Sequence, residues 1–147
     1  MNLLGNSDTP SVFDRLIGKP TSCSWIFDTG ATVHATGTLG FLVDQFDVVV
    51  CPLTLPDGSV IYSTRRGSVV LLASLILRNV LYVPNLSCNL ISISQLLVEQ
   101  CDILFTHNLC FVEDRSARTV IGAGEWRGGL YYFCELPVDS TASPLAI

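Results

Sequence analysis

One stretch of the sequence places a carboxylate, a hydroxyl residue and two small residues directly after an apolar segment. Trp25-Ile26-Phe27 is followed by Asp28-Thr29-Gly30-Ala31. A strand at the apolar segment would hold the aspartate rigidly, and the small residues would let backbone N–H groups approach its carboxylate. The threonine hydroxyl can donate or accept a hydrogen bond across a tight interface. The pattern is compatible with an ordinary polar turn, but its place after an apolar strand favours acid–base chemistry.

Hydrolysis of a peptide bond by aspartates needs two carboxylates that share one proton. One activates water and the other protonates the scissile carbonyl. The sequence contains no second Asp followed by Ser or Thr and then Gly. Asp57-Gly58 lacks the hydroxyl residue, and Asp102 follows a predicted helix without a glycine. We therefore expect a symmetric homodimer in which each chain contributes its Asp28.

Short β-branched and aromatic runs, separated by turn signals, predict a mostly β domain of the barrel or sandwich kind. We expect a flexible lead-in at 1–22, the domain at 23–136 with a C-terminal strand extension from about 106, and a loose tail at 137–147. The predicted strands are Trp25–Asp28, Val33–Thr36, Phe46–Val50, Leu53–Leu55, Val60–Ser63, Ser68–Ala73, Leu75–Val83, Cys101–Phe105, Leu109–Glu113, Thr119–Ile121 and Leu130–Leu136.

Turn and helix signals connect these runs. Pro56-Asp57-Gly58-Ser59 predicts a tight turn between Leu53–Leu55 and Val60–Ser63. Arg65-Arg66-Gly67 predicts a second bend, and the glycine-rich residues 122–129 predict a loop. One short helix is expected near residues 92–100, because the spacing of three apolar residues can place them on one face, with Ser92 or Ser94 as its cap. Those apolar residues are Ile93, Leu96 and Leu97.

The amino-acid composition and net charge indicate which kinds of molecule the chain could bind. Of the residues, 49% are hydrophobic and only 14% are charged, which is compatible with an apolar face for a partner subunit. A formal net charge of −5 argues against a nucleic-acid surface. The longest apolar run, Val69–Leu77, is too short to span a bilayer, and the N-terminal residues lack the features of a signal peptide. We expect an intracellular, cytoplasmic chain that does not bind membranes.

The six cysteines are scattered and form no C-x-x-C pair. In a reducing compartment they are most simply small buried hydrophobic residues. Together with His34 and His107 they lack the spacing of metal ligands, so neither a metal nor a cofactor is expected. His34, as a single residue, is most simply a structural hydrogen-bonding histidine, and Trp25 and Phe27 are most simply core residues.

Four motifs in order resemble the protease region of copia-type LTR-retrotransposon Pol polyproteins, also described as a TNT-like Pol polyprotein beta-barrel domain. They are Trp-Ile-Phe-Asp-Thr-Gly-Ala-Thr-x-His (25–34), Leu-Pro-Asp-Gly-Ser (55–59), Leu-x-Asn-Val-Leu-Tyr-Val-Pro-x-Leu (77–86) and Asn-Leu-Ile-Ser-Ile-Ser-Gln-Leu (89–96). Later residues, including Cys110 and Gly129-Leu130-Tyr131-Tyr132, are similar to the segment downstream of the protease region in those polyproteins. The resemblance spans roughly residues 24–135.

The resemblance implies a small closed β-barrel of the retropepsin type, acting as half of a homodimeric aspartic endopeptidase that cleaves peptide or polyprotein substrates. Asp28 would be the catalytic residue, with Thr29, Gly30 and Ala31 as the active-site loop. Ser92 stands where retroviral relatives carry glycine. The implied substrate-binding flap consists of Leu55, Pro56, Asp57, Gly58 and Ser59. The alternative is a catalytically inactive barrel remnant that acts at most as a binding or structural module, or that works only inside a longer polyprotein.

Overall fold

The computed structural model describes residues 25–54 and 60–134, and these form a mostly β protein with one short helix, as predicted. The helix, α1 (Ile93–Val98), precedes β7, and a 3-10 turn at Leu39–Phe41 precedes β3. In these ranges the strands are β1 (Trp25–Asp28), β2 (Ala35–Thr36), β3 (Val43–Thr54), β4 (Val60–Leu72), β5 (Leu75–Tyr82), β6 (Asn89–Ser92), β7 (Cys101–Phe105), β8 (Leu109–Asp114), β9 (Thr119–Arg127) and β10 (Leu130–Cys134). No helix among these residues is long and apolar enough to cross a membrane.

All the strands belong to one ten-stranded sheet with the order β3-β4-β5-β2-β6-β1-β10-β9-β8-β7. Closing such a sheet into a barrel requires hydrogen bonds between the two edge strands. Over the described ranges β3 and β7 are not paired with each other, so the predicted closed barrel is not confirmed. The strands of the C-terminal extension continue the same sheet, because β10 pairs antiparallel with β1.

The strand β1 lies in the middle of the sheet and is buried along its whole length. Trp25 and Phe27 belong to the largest apolar cluster, which confirms them as core residues. Ile26 points to the other face and packs with Cys88 and Leu130. A strand that is covered on both faces needs a continuous apolar run rather than an alternating one, and Trp-Ile-Phe is such a run.

Two glycine-containing segments that predict turns lie instead within strands. Arg65-Arg66-Gly67 is part of β4, and residues 122–127 are part of β9. Gly67 is buried, and a Cβ there would lie 2.8 Å from the carbonyl oxygen of Val43 on β3. The glycine therefore allows close approach of two strands. The pairing of β4 with β5 also shifts register between Gly67 and Val69, as at a β-bulge. The actual turn between β9 and β10 contains Gly128 and Gly129, whose φ values are 57° and 100°.

The predicted hairpin is present in its two flanking strands. Thr54 pairs with Val60, and Leu53 with Ile61, across β3 and β4. The turn itself, at 55–59, lies outside the described residues.

The helix α1 is shorter than predicted, and its cap is Ser92, whose side chain accepts a hydrogen bond from the Gln95 N–H. Ile93 and Leu96 face the core as expected, but Leu97 is 43% exposed, which corrects its predicted position. A positive φ of 70° at Gln100 ends the helical turn and directs the chain into β7.

Cys88, Cys101, Cys110 and Cys134 are free, and the first three are buried, in agreement with their interpretation as small apolar residues. Burial raises the pKa of the Cys101 thiol to about 11 and that of the Cys110 thiol to about 12. Both thiols are therefore protonated and unreactive near neutral pH.

The contact between β9 and β1 depends on the absence of a side chain at Gly124. A Cβ there would lie 2.5 Å from the Cys110 sulfur and 2.7 Å from the Phe27 ring. We expect Gly124→Ala to lower the free energy of unfolding by about 1–3 kcal/mol through overpacking. Gly40→Ala is the matched control, because nothing lies within 4 Å of its added Cβ. Urea titration of both variants is the measurement, and equal stabilities would contradict the close contact.

The buried thiols also predict how stability depends on pH. Between pH 9 and the raised pKa of about 12, Cys110 keeps its proton in the folded chain and loses it in the unfolded chain. The unfolded state then binds fewer protons, so the free energy of unfolding falls as pH rises above about 9. Urea titrations from pH 8 to 10.5 should show this decline, and Cys110→Ala should make it shallower, with the remaining decline due to Cys101, whose pKa is also raised. Parallel declines in the two proteins would contradict the assignment.

Candidate functional site: the Asp28 loop

The position of Asp28 is determined by the strands on either side of β1. The parallel strand β6 places Ser92 in register with Asp28, and the antiparallel strand β10 pairs Tyr131 with Phe27. Hydrogen bonding along both edges leaves β1 little freedom to shift. The aspartate is thus the last residue of a strand held in place at the centre of the sheet, as its apolar context predicts.

The carboxylate of Asp28 is buried against the turn that comes after it. The residue is 2% exposed, and its Oδ1 accepts a hydrogen bond from the Gly30 N–H at 2.8 Å. Thr29 and Gly30 are exposed, while Ala31 is half-buried. The structure therefore brings together the predicted aspartate and its loop, and the small residues allow the backbone N–H to reach the carboxylate.

The Asp28 loop, residues 29–34, is fastened to the junction of β6 and α1. The Ser92 hydroxyl donates to the Ala31 carbonyl at 2.7 Å, and the Ser94 hydroxyl lies 3.2 Å from the same oxygen. At the end of the loop, the His34 N–H donates to the Gln95 Oε1 at 2.9 Å. A single short segment of the chain thus holds both the middle and the end of the loop.

His34 has the structural hydrogen-bonding role that the sequence suggests. Its side chain is completely buried, and its Nδ1 accepts the Ser92 N–H at 2.9 Å. The other ring nitrogen, Nε2, lies 3.6 Å from the Glu99 Oε2. Gln95 completes the arrangement by donating to the Arg78 carbonyl at 2.6 Å and to the Glu99 Oε1 at 2.7 Å.

Gln95 and Glu99 are the residues of this site that the sequence does not identify. Both contact His34, which lies 61 positions before Gln95 and 65 positions before Glu99. Gln95 belongs to the motif at 89–96, but that motif does not indicate a contact with so distant a residue. The only local signal is the position of Ser92 as a predicted helix cap, which places the next side chains on the first turns of a helix.

Asp102, the other aspartate considered from the sequence, is far from Asp28. It lies on the edge strand β7 and pairs with Arg115 at 3.0 Å. Measured along the sheet, four strand spacings of together roughly 19 Å separate β7 from β1. The structure thus pairs Asp102 with Arg115 and does not support it as the second carboxylate within one chain.

The predicted flap residues cannot be compared with the structure in the same way. Leu55, Pro56, Asp57, Gly58 and Ser59 all lie outside the described residues. The ribbon that leads to them has exposed apolar side chains, including Val49, which is 93% exposed, and Tyr62.

An open cavity of about 420 Å³ lies beside the Asp28 loop and has a mixed polar and apolar lining. It is lined by Thr32, Val33, Arg66, Asn79, Ser94, Gln95, Val98 and Glu99. Over residues 25–54 and 60–134, no group of three or more His, Cys, Asp or Glu side chains is arranged to hold a metal ion.

Comparison with known proteins gives one family. The family model described as "Pol polyprotein, beta-barrel domain" matches residues 25–101, which is just over half of the chain. No curated protein and no solved structure matches the chain significantly. The matched segment contains the Asp28 loop, β6 and α1, and it confirms the Pol polyprotein part of the resemblance. The chain belongs to the Pol polyprotein beta-barrel domain family.

Proposed function

We propose that this domain is one half of a homodimeric, retropepsin-like aspartic endopeptidase of the copia type, which cleaves extended segments of a polyprotein. The observation that carries the proposal is the Asp28 turn. A buried central strand ends in a carboxylate whose Oδ1 is held by the Gly30 N–H at 2.8 Å, next to an exposed Thr29. This arrangement supports a carboxylate whose orientation is set before substrate binds.

The proposed reaction uses Asp28 of two chains. One carboxylate removes a proton from water, which attacks the scissile carbonyl carbon, while the protonated partner donates its proton to the carbonyl oxygen. Collapse of the tetrahedral intermediate then releases the amine and the new carboxyl group.

The homodimer follows from the number of motifs. Each chain carries one Asp-Thr-Gly, so a two-fold axis beside the Asp28 loop would complete the pair of carboxylates. The exposure of Thr29 and Gly30 supports a contact between loops at such an axis. The segment at 55–59 would close over an extended peptide and exclude water.

Cleavage of an unfolded protein substrate between pH 4 and 7 tests the role of Asp28. We expect the wild type to cleave it, an aspartic-protease inhibitor to block cleavage, and Asp28→Asn to reduce the rate at least about a thousandfold, since an amide cannot share the proton. Asp102→Asn is the matched control and should retain activity, because Asp102 lies on the distant edge strand β7. A folded wild type without activity would favour the inactive binding or structural module.

Mixing wild-type and Asp28→Asn chains tests the shared site. If each active site needs Asp28 from both chains, an equal mixture at constant total concentration should retain about one quarter of the wild-type rate, because only that share of dimers is intact. Independent monomers would retain about one half. Sedimentation velocity across a concentration series should show the corresponding dimer, and a monomer at every active concentration would contradict it.

A further inference from the structure

The hydrogen bond between Ser92 and His34 determines where the imidazole carries its proton. A backbone N–H can only donate, so the Nδ1 atom that accepts it at 2.9 Å has a free lone pair. An imidazolium carries protons on both nitrogens and could not accept this bond. The ring is therefore neutral, with its proton on Nε2.

The surroundings of Nε2 agree with that tautomer. The Glu99 Oε2 lies 3.6 Å away, which is too long for a direct hydrogen bond but places a negative charge opposite the Nε2–H. The other carboxylate oxygen of Glu99 accepts from the Gln95 side chain at 2.7 Å, which fixes the orientation of the carboxylate. The Glu99 carboxylate thus favours a proton on Nε2. The hydrogen bond from the Ser92 N–H leaves no place for that proton on Nδ1.

The position of Ser92 makes this imidazole relevant to Asp28. Ser92 is the residue of β6 in register with Asp28, and its N–H binds the ring rather than a neighbouring strand. Its hydroxyl simultaneously donates to Ala31 and accepts from the Gln95 N–H at 3.1 Å. The imidazole therefore bridges the end of the Asp28 loop to the residue that fastens the middle of that loop.

We propose that His34 is a positioning residue, held as the neutral Nε2–H tautomer, which fixes the Asp28 loop against the start of α1. It acts through Ser92 and does not take part in the chemistry itself. Both ring nitrogens face groups within the protein, so His34 is neither a general base nor a metal ligand. Its effect on catalysis rests on the proposed function, whereas its effect on the loop does not.

A matched pair of substitutions separates the two ring nitrogens. In His34→Asn the side-chain oxygen can take the place of Nδ1, whereas in His34→Gln it reaches toward the place of Nε2. Both variants lose the ring and its packing, so a purely structural role would affect them similarly. Only the positioning role predicts that asparagine rescues the bond to Ser92 and glutamine does not.

Amide hydrogen exchange of Ser92, measured by NMR relative to Ile91 on the same strand, reports that bond directly. We expect the ratio to rise about tenfold or more in His34→Gln and to stay within about threefold of wild type in His34→Asn. The ¹⁵N spectrum of the wild-type imidazole should show the proton on Nε2. Equal ratios in the two variants, or a proton on Nδ1, would overturn the proposal.

Activity provides a second arm that separates this proposal from the proposed function. If the wild type cleaves protein substrates, His34→Gln should lower kcat more than it raises KM, and His34→Asn should recover most of kcat. A similar loss of kcat in both variants would contradict positioning through Ser92. If the wild type does not cleave, the proposed function fails, and the exchange and ¹⁵N measurements still decide the role of His34.

Discussion

Burial of β1 on both of its faces is the constraint on which the rest of the structure depends. A strand of this kind must have apolar neighbours above and below it and hydrogen-bonding partners on both edges. The first requirement is met by the cluster around Phe27 and the separate cluster around Ile26. The second is met by β6 and β10. Since full burial of each large apolar side chain contributes about 1.5–3 kcal/mol, displacement of β1 would be strongly unfavourable. Asp28 is the last residue of β1, so its backbone is held in place with the strand.

Ser92 connects the sheet to the Asp28 loop and thereby fixes the conformation of that loop. As the last residue of β6 it is in register with Asp28, and as the N-cap of α1 it begins the helix that carries Gln95. Its hydroxyl also binds the Ala31 carbonyl. A glycine at this position would have no side-chain oxygen for either bond. The loop in this chain is thus fastened by side-chain contacts that a glycine could not supply.

The parts of the fold that depend on local patterns can be predicted from the sequence. The bounds of β1 and β7 agree with their apolar runs, and Ser92 is one of the two expected caps. The sequence-based predictions are wrong where the role of a residue depends on a contact with a part of the chain that is distant in sequence. Gly67 and Gly124 lie in segments whose residue types predict turns. In the structure, the absence of a side chain at each of them allows atoms of another strand to approach closely. The bonds of His34 to Ser92 and Gln95 join positions about sixty residues apart, and a single sequence contains no signal for such pairs. The prediction for Leu97 is wrong, because of the three apolar residues of this helix only Ile93 and Leu96 contact the core, and Leu97 is exposed.

The structural unit around Asp28 is larger than the segment that the family model matches. The match ends at residue 101, at the start of β7, so β8, β9 and β10 lie beyond it. Yet β10 forms one of the two edges of β1, and Leu130 from β10 packs against Ile26. Without β10 the strand that carries Asp28 would expose one row of its backbone N–H and C=O groups and part of its apolar surface to water. The C-terminal strands are therefore part of what holds the carboxylate in place, and a segment cut at the end of the match would lack one of the two strands that fix β1.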